Sequence, residues 1–156
     1  MFSIAEILFG NSLGNWFVYI SRSYTTSSYH LNDADRLTYF IIYAITSMTF
    51  SPIGEELFYR GIVHASFASD MNENTASVWD SVAFSLTHLA HFGIVFIDGK
   101  WKFILFPALL WIAGMFFSSR LFFLCKQKTR SIAGAIICHA GFNISMIYFI
   151  FYHILQ

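Results

Sequence analysis

Charge is what this sequence lacks most: only 12% of its residues are charged, against a hydrophobic share of 56%. That is about half the charged share of an ordinary soluble domain, so the chain could not cover itself with polar surface in water. Its nine basic and nine acidic residues cancel, and no long basic patch with interleaved aromatics is present, which argues against nucleic acid as a partner. Cysteine is scarce too. Cys125 and Cys138 lie in or beside apolar runs, without zinc-ribbon or disulfide-framework spacing, and are expected to be small buried side chains. The N-terminus has neither a basic n-region nor a small-residue cleavage site, so the first apolar run is expected to remain in the mature protein. Internal repeats, low-complexity tracts and sharp composition shifts are also missing. The 156 residues therefore read as one domain, 1–156.

What is abundant is apolar and aromatic: 20% aromatic residues, with 19 phenylalanines. A spanning helix needs about 20 mostly apolar residues, and several stretches qualify. Phe2 to Ile20 is the first, interrupted by Glu6, Asn11 and Asn15, with Gly10 and Gly14 at the spacing that lets membrane helices approach closely. Ser21 to Arg36 reads as a loop. Leu37 to Ser69 would extend about 50 Å as one helix, so a kink or fresh start is expected at Ser51-Pro52. Met71 to Ser77 reads as a polar connection, Val78 to Ile97 as a helix, and Asp98, Gly99 and Lys100 as a turn. Trp101 to Leu124 is a further span, Lys126 to Arg130 a basic loop, and Ser131 to Leu155 the last span. The fold class is thus an all-α, multi-pass transmembrane bundle of about five to six membrane helices. Lys126, Lys128 and Arg130, with Arg120 nearby, place the last loop in the cytoplasm by the positive-inside rule.

Ionisable side chains inside such segments are costly, at about 2.5 to 3.5 kcal/mol each on insertion scales, and are usually functional. Glu55, Glu56 and Arg60 stand in GEELFYR, Phe84 and His88 in FSLTH, and His139 and Asn143 in HAGFN. Glu56 and Arg60 are four apart with the acid first, the favourable order for an ion pair on one helical face. Glu55 then points about 100° away, without a local partner. His139 and Asn143 share a face, and Phe84 lies one turn before His88, where it would wall that imidazole off. Counted from the expected cytoplasmic helix ends, Glu55, His88 and His139 lie roughly 21, 15 and 12 Å deep, levels at which they could meet.

Each motif alone is weak, but their order within apolar segments is specific. Together EExxxR, FxxxH and HxxxN resemble the signature of the CAAX-protease and bacteriocin-processing family of glutamic-type intramembrane endopeptidases. The resemblance covers about Ser51 to Asn143. It implies a membrane hydrolase in which Glu55 is the general base, His88 holds and polarises the same water, His139 and Asn143 donate to the oxyanion, and Glu56, Arg60 and Phe84 support the site. It further implies no cofactor, a membrane-associated peptide or protein substrate with the lipid bilayer as surroundings, and, for so short a chain, a prokaryotic cytoplasmic membrane.

Other readings of the same residues stay open. Glu55, His88 and His139 could ligate a catalytic zinc, although no HExxH is present. Glu56 with Arg60 could be a structural ion pair only, and His139 with Asn143 could simply bond neighbouring helices. The chain could be a non-proteolytic scaffold or immunity protein of the same superfamily, or a small transporter using Glu55 as a relay acid. His64 and His91 fall outside the signature and are expected in supporting or interfacial roles.

Overall fold

The computed structural model describes residues 1–22, 32–97 and 99–155. Its elements are α1 (Phe2–Phe9), α2 (Trp16–Ser21), α3 (Asp33–Glu56), a π-helical stretch (Leu57–Val63) and α4 (His64–Ala68). After these come α5 (Glu73–Thr87), a 3-10 turn (His88–Ala90), a hairpin of β1 (Ile94–Ile97) and β2 (Lys100–Phe103), α6 (Leu105–Thr129) and α7 (Ile132–Phe149), which ends in a π-helical turn (Ile150–Ile154). The molecule is an all-α, multi-pass bundle. Among the described residues, three helices are long and apolar enough to cross a membrane: Asp33–Ala68, Leu105–Thr129 and Ile132–Ile154. α7 packs between α3 and α6, and α5 packs on α6.

Several expected segments take other forms, each for a local reason. The first apolar run is broken: Gly10 adopts φ 51° and ends α1. Asn15 then caps α2 by accepting from the Phe17 amide at 3.0 Å, while its own amide donates to the Gly10 carbonyl at 2.7 Å. Gly14 packs beneath the Phe9 ring, where an added Cβ would meet Cδ1 at 2.7 Å. The two glycines therefore shape a bend within the chain rather than a straight helix seam.

Pro52 does not break the second segment. α3 passes through it, and the helix continues to Ala68, 36 residues or about 54 Å. The irregularity comes five residues later, in the π-helical Leu57–Val63. There the Arg60 carbonyl accepts from Lys126 Nζ of α6 at 2.9 Å. A wider turn of this kind often sits at functional sites, because it re-aims the side chains around it.

The expected Val78 to Ile97 helix starts early and ends early. Asn72 caps α5 by accepting from the Thr75 amide at 3.0 Å, which draws most of the polar connection into the helix. Beyond Ala90 the chain leaves the helix for the hairpin, in which Phe96 pairs with Trp101 and Ile94 with Phe103. Gly99, at φ 73°, supplies the left-handed residue of the tight turn; Asp98, read as part of that turn, lies outside the described residues. The Lys126 to Arg130 loop is mostly the last turn of α6, where cations complement the helix C-terminus. Arg130 (φ 53°) and Ser131 make the reversal, and Ser131 caps α7 by accepting from the Ala133 amide. Asn32 likewise opens α3 within the expected Ser21 to Arg36 loop, most of whose remaining residues, 23–31, lie outside the described chain.

Candidate active site

Glu55 lies near the end of α3, where the sequence had it pointing away from the Glu56–Arg60 pair. Its carboxylate Oε1 accepts from the Ser51 hydroxyl one turn earlier. The other oxygen, Oε2, is buried and has no hydrogen-bond partner among the described residues. It faces His88 Nε2 at 3.7 Å. His88 Nδ1 lies 2.8 Å from the Phe84 carbonyl, and because a carbonyl only accepts, Nδ1 carries the proton there. In the neutral ring, Nε2 is then an acceptor turned toward a second acceptor. A separation of 3.7 Å is too long for a direct hydrogen bond, and a donor of two protons such as water suits it.

His139 is held from the opposite side. Its Nδ1 donates to Glu56 Oε1 at 2.8 Å, and Glu56 Oε2 pairs with Arg60 Nε at 2.9 Å, both charged side chains being fully buried. Arg60 Nη2 reaches the Ser119 carbonyl at 2.9 Å and its hydroxyl at 2.6 Å. The guanidinium carbon lies 4.7 Å from the Phe84 ring centroid, a cation–π contact in a dry environment. Phe84 does more than screen one histidine. It stacks on His88 at 4.3 Å and meets His139 edge-on at 5.8 Å, while Phe122 stacks on the other imidazole at 4.4 Å and 13°. The aromatic walls leave each ring little rotational freedom.

Asn143, one turn beyond His139, donates from Nδ2 to the Ser47 carbonyl at 2.8 Å, tying α7 to α3. Among the described residues this is the amide's one side-chain hydrogen bond, and a second amide proton and the amide oxygen remain for other partners. Glu55, His88, His139 and Asn143 line a single cavity of about 570 Å³, together with Phe84 and Phe122. Glu56 and Arg60 stand behind its wall. The cavity is within the size range of ligand sites and mostly apolar around a few convergent polar groups.

Further side chains extend this arrangement beyond the sequence motifs. Asp80 is fully buried on α5, with Oδ1 3.9 Å from Arg60 Nε and Oδ2 3.2 Å from His64 Nδ1. His64 Nε2 lies 3.0 Å from Glu73 Oε1 at the surface. Asp80 was legible by the same test that found the others, an acid inside an apolar helix four residues before Phe84. Ser119 carries no such signal, since a serine in a membrane helix is unremarked until an arginine reaches it. His91 lines the cavity and meets His88 edge-on at 5.1 Å. Among the described residues, no three His, Cys, Asp or Glu side chains are grouped to hold a metal ion.

Comparison with known proteins returns one family. Residues 37–155 match the family model described as type II CAAX prenyl endopeptidase Rce1-like. Neither the curated proteins nor the solved structures yield a significant match. The match takes in the three long helices apart from the first residues of α3, along with α5, the hairpin and Glu55, His88, His139 and Asn143 of the cavity, and on it the chain belongs to the Rce1-like family of CAAX-type intramembrane proteases.

Proposed function

We propose that this protein is an intramembrane endopeptidase that hydrolyses a peptide bond with a water activated by Glu55, without a metal. The observation that carries the proposal is Glu55 Oε2, without a hydrogen-bond partner among the described residues, facing His88 Nε2 at 3.7 Å within a cavity that His139 and Asn143 also line. A water about 2.8 Å from both acceptors donates one hydrogen to each. As its oxygen attacks the scissile carbonyl carbon, the proton facing Glu55 moves to Oε2 and the carbonyl π-electrons move onto oxygen. The tetrahedral oxyanion is met by the free Asn143 amide proton and by His139. Because Nδ1–H of His139 is committed to Glu56, His139 donates to the oxyanion through Nε2 only when that nitrogen also carries a proton. Collapse re-forms the carbonyl, breaks the C–N bond and returns the Glu55 proton to the leaving amine, so that one water is consumed and an acid and an amine are released.

The carboxylate works beside a donor, Ser51, that holds one of its oxygens and leaves the other for water. Glu56 and Arg60 keep His139 in one orientation, which limits the reorganisation needed when charge develops. The substrate we propose is a membrane-associated peptide or the C-terminal sorting segment of a membrane-anchored protein, within a prokaryotic inner membrane. The test is mass spectrometry of membrane proteins from cells carrying wild-type protein or Glu55→Gln. Uncleaved precursors that accumulate only with Glu55→Gln support the reading. A wild-type pattern and phenotype in Glu55→Gln cells would instead indicate a non-proteolytic scaffold.

A further inference from the structure

The β1–β2 hairpin takes no part in the chemistry above, yet its side chains are sorted with unusual clarity. Directly opposed residues of an antiparallel pair share a face, as do residues two apart along a strand. The register Ile94↔Phe103 and Phe96↔Trp101 therefore places four large apolar side chains on one face. All four are exposed, at 46, 56, 72 and 55% for Ile94, Phe96, Trp101 and Phe103. Phe96 and Trp101 contact each other at 5.1 Å between ring centroids. The other face carries Val95, fully buried against the bundle, paired with Lys102. Lys100 is exposed beside the turn.

Two constraints fix where such a ribbon can lie. A two-stranded hairpin leaves unpaired N–H and C=O groups along both outer edges, which cannot be left bare in hydrocarbon. Four exposed aromatic and aliphatic side chains on one face are equally unsuited to bulk water. Only the headgroup layer satisfies both, with water for the edges and acyl chains for the face. Two further observations agree. The hairpin is anchored to the start of a membrane span, since the Ile104 amide donates to the Gly93 carbonyl at 3.0 Å and Leu105, Phe106 and Leu109 at the head of α6 are exposed in continuity with it. Trp beside Lys is also the composition of membrane–water interfaces.

We infer that the hairpin is an in-plane membrane anchor that rests on the lipid headgroup layer at the rim of the cavity, its Ile94, Phe96, Trp101 and Phe103 face turned into the bilayer and its lysines toward lipid phosphates. Phe96 is at once part of that face and a lining residue of the cavity, as are Ala90 and His91 at the hairpin's base. The cavity therefore borders the interfacial layer, and a substrate segment lying along the membrane surface reaches it past Phe96. The inference does not depend on the catalytic reading, and it holds whether or not Glu55 cleaves anything.

Spin-label accessibility tests it on the full chain. Nitroxides are attached singly at Ile94→Cys, Trp101→Cys, Phe103→Cys, Lys100→Cys and Lys102→Cys in a Cys125→Ser/Cys138→Ser background, reconstituted in vesicles of phosphatidylcholine and phosphatidylglycerol. Oxygen should relax the labels at 94, 101 and 103 more than a water-soluble nickel chelate does, and the order should reverse at 100 and 102. Equal nickel accessibility at all five positions would put the hairpin in water and overturn the inference. Low accessibility to both reagents at 94, 101 and 103 would mean that a protein surface or a second copy covers the face, which overturns it as well. Unlabelled protein gives an independent reading. Lipids brominated near the carbonyl end of the chain should quench wild-type tryptophan fluorescence more than that of Trp101→Phe, and equal quenching of the two would count against the anchor.

Discussion

Replacing Arg60 with methionine isolates the interaction on which the back wall of the cavity rests. Among the described residues the guanidinium is the only group paired with both Glu56, at 2.9 Å, and Asp80, at 3.9 Å, and all three side chains are fully buried. Met fills much of the same volume, so the loss is chiefly electrostatic. Two carboxylates are left in an apolar interior with His139 and His64 as their remaining partners. Breaking a buried pair by removing one partner costs about 3 to 5 kcal/mol, whereas removing all the charges together is often close to neutral. Arg60→Met should therefore lose stability in that range. The triple variant Glu56→Gln/Arg60→Met/Asp80→Asn should recover about 1 kcal/mol or more of it, the signature of coupled sites. Glutamine at 56 still accepts from His139 Nδ1, so that contact need not be lost. Reversible unfolding in mixed detergent–lipid micelles, followed by circular dichroism, measures all the variants. The reasoning is refuted if Arg60→Met stays within about 1 kcal/mol of wild type, below the range for a buried pair, or if the triple variant is less stable than the single one.

The remaining predictions concern the cavity itself. His88→Ala should abolish peptide cleavage in a protein that still folds, because alanine keeps the backbone carbonyl that accepts from Trp111 Nε1 and the side chain's hydrogen bond among the described residues is to the Phe84 carbonyl; residual activity near the wild-type level would remove His88 from the water site. Asn143→Ala should lower kcat about 10²- to 10³-fold, the usual effect of losing one oxyanion donor, and a change confined to KM would reassign it to substrate binding or to the α3–α7 tie. Treatment of purified protein with a strong chelator should leave cleavage unchanged, and activity lost to the chelator and restored by zinc would overturn the metal-free mechanism.

Much of this molecule was legible before any fold was drawn. The low charge and long apolar runs dictate a membrane bundle, since nothing else can bury a chain of this composition. Polar and ionisable residues within those runs marked Glu55, Glu56, Arg60, His88, His139 and Asn143, because such side chains are too costly to retain without a use. Helical spacing gave the Glu56–Arg60 pair. Segment ends were read less well, because a single cap or turn residue moves them. Asn15 and Gly10 split the first run, Asn72 extends α5 backward, and Gly99 lets a hairpin replace the end of an expected helix.

Partners that come from different helices were decided by tertiary structure alone. No spacing in the sequence says that His139 turns Nδ1 toward Glu56, 83 residues away, or that Asn143 reaches the Ser47 carbonyl. Nor does any local pattern carry the helix through Pro52 and place its irregularity at Leu57–Val63, where α3 packs on α7 and the Arg60 carbonyl is bonded by Lys126 of α6. The sequence by itself determined which side chains were too polar for their surroundings, because transfer out of water is a property of each residue and its neighbours in the chain. Which of them share one cavity is a property of helix packing, and packing is settled by contacts between segments far apart in sequence.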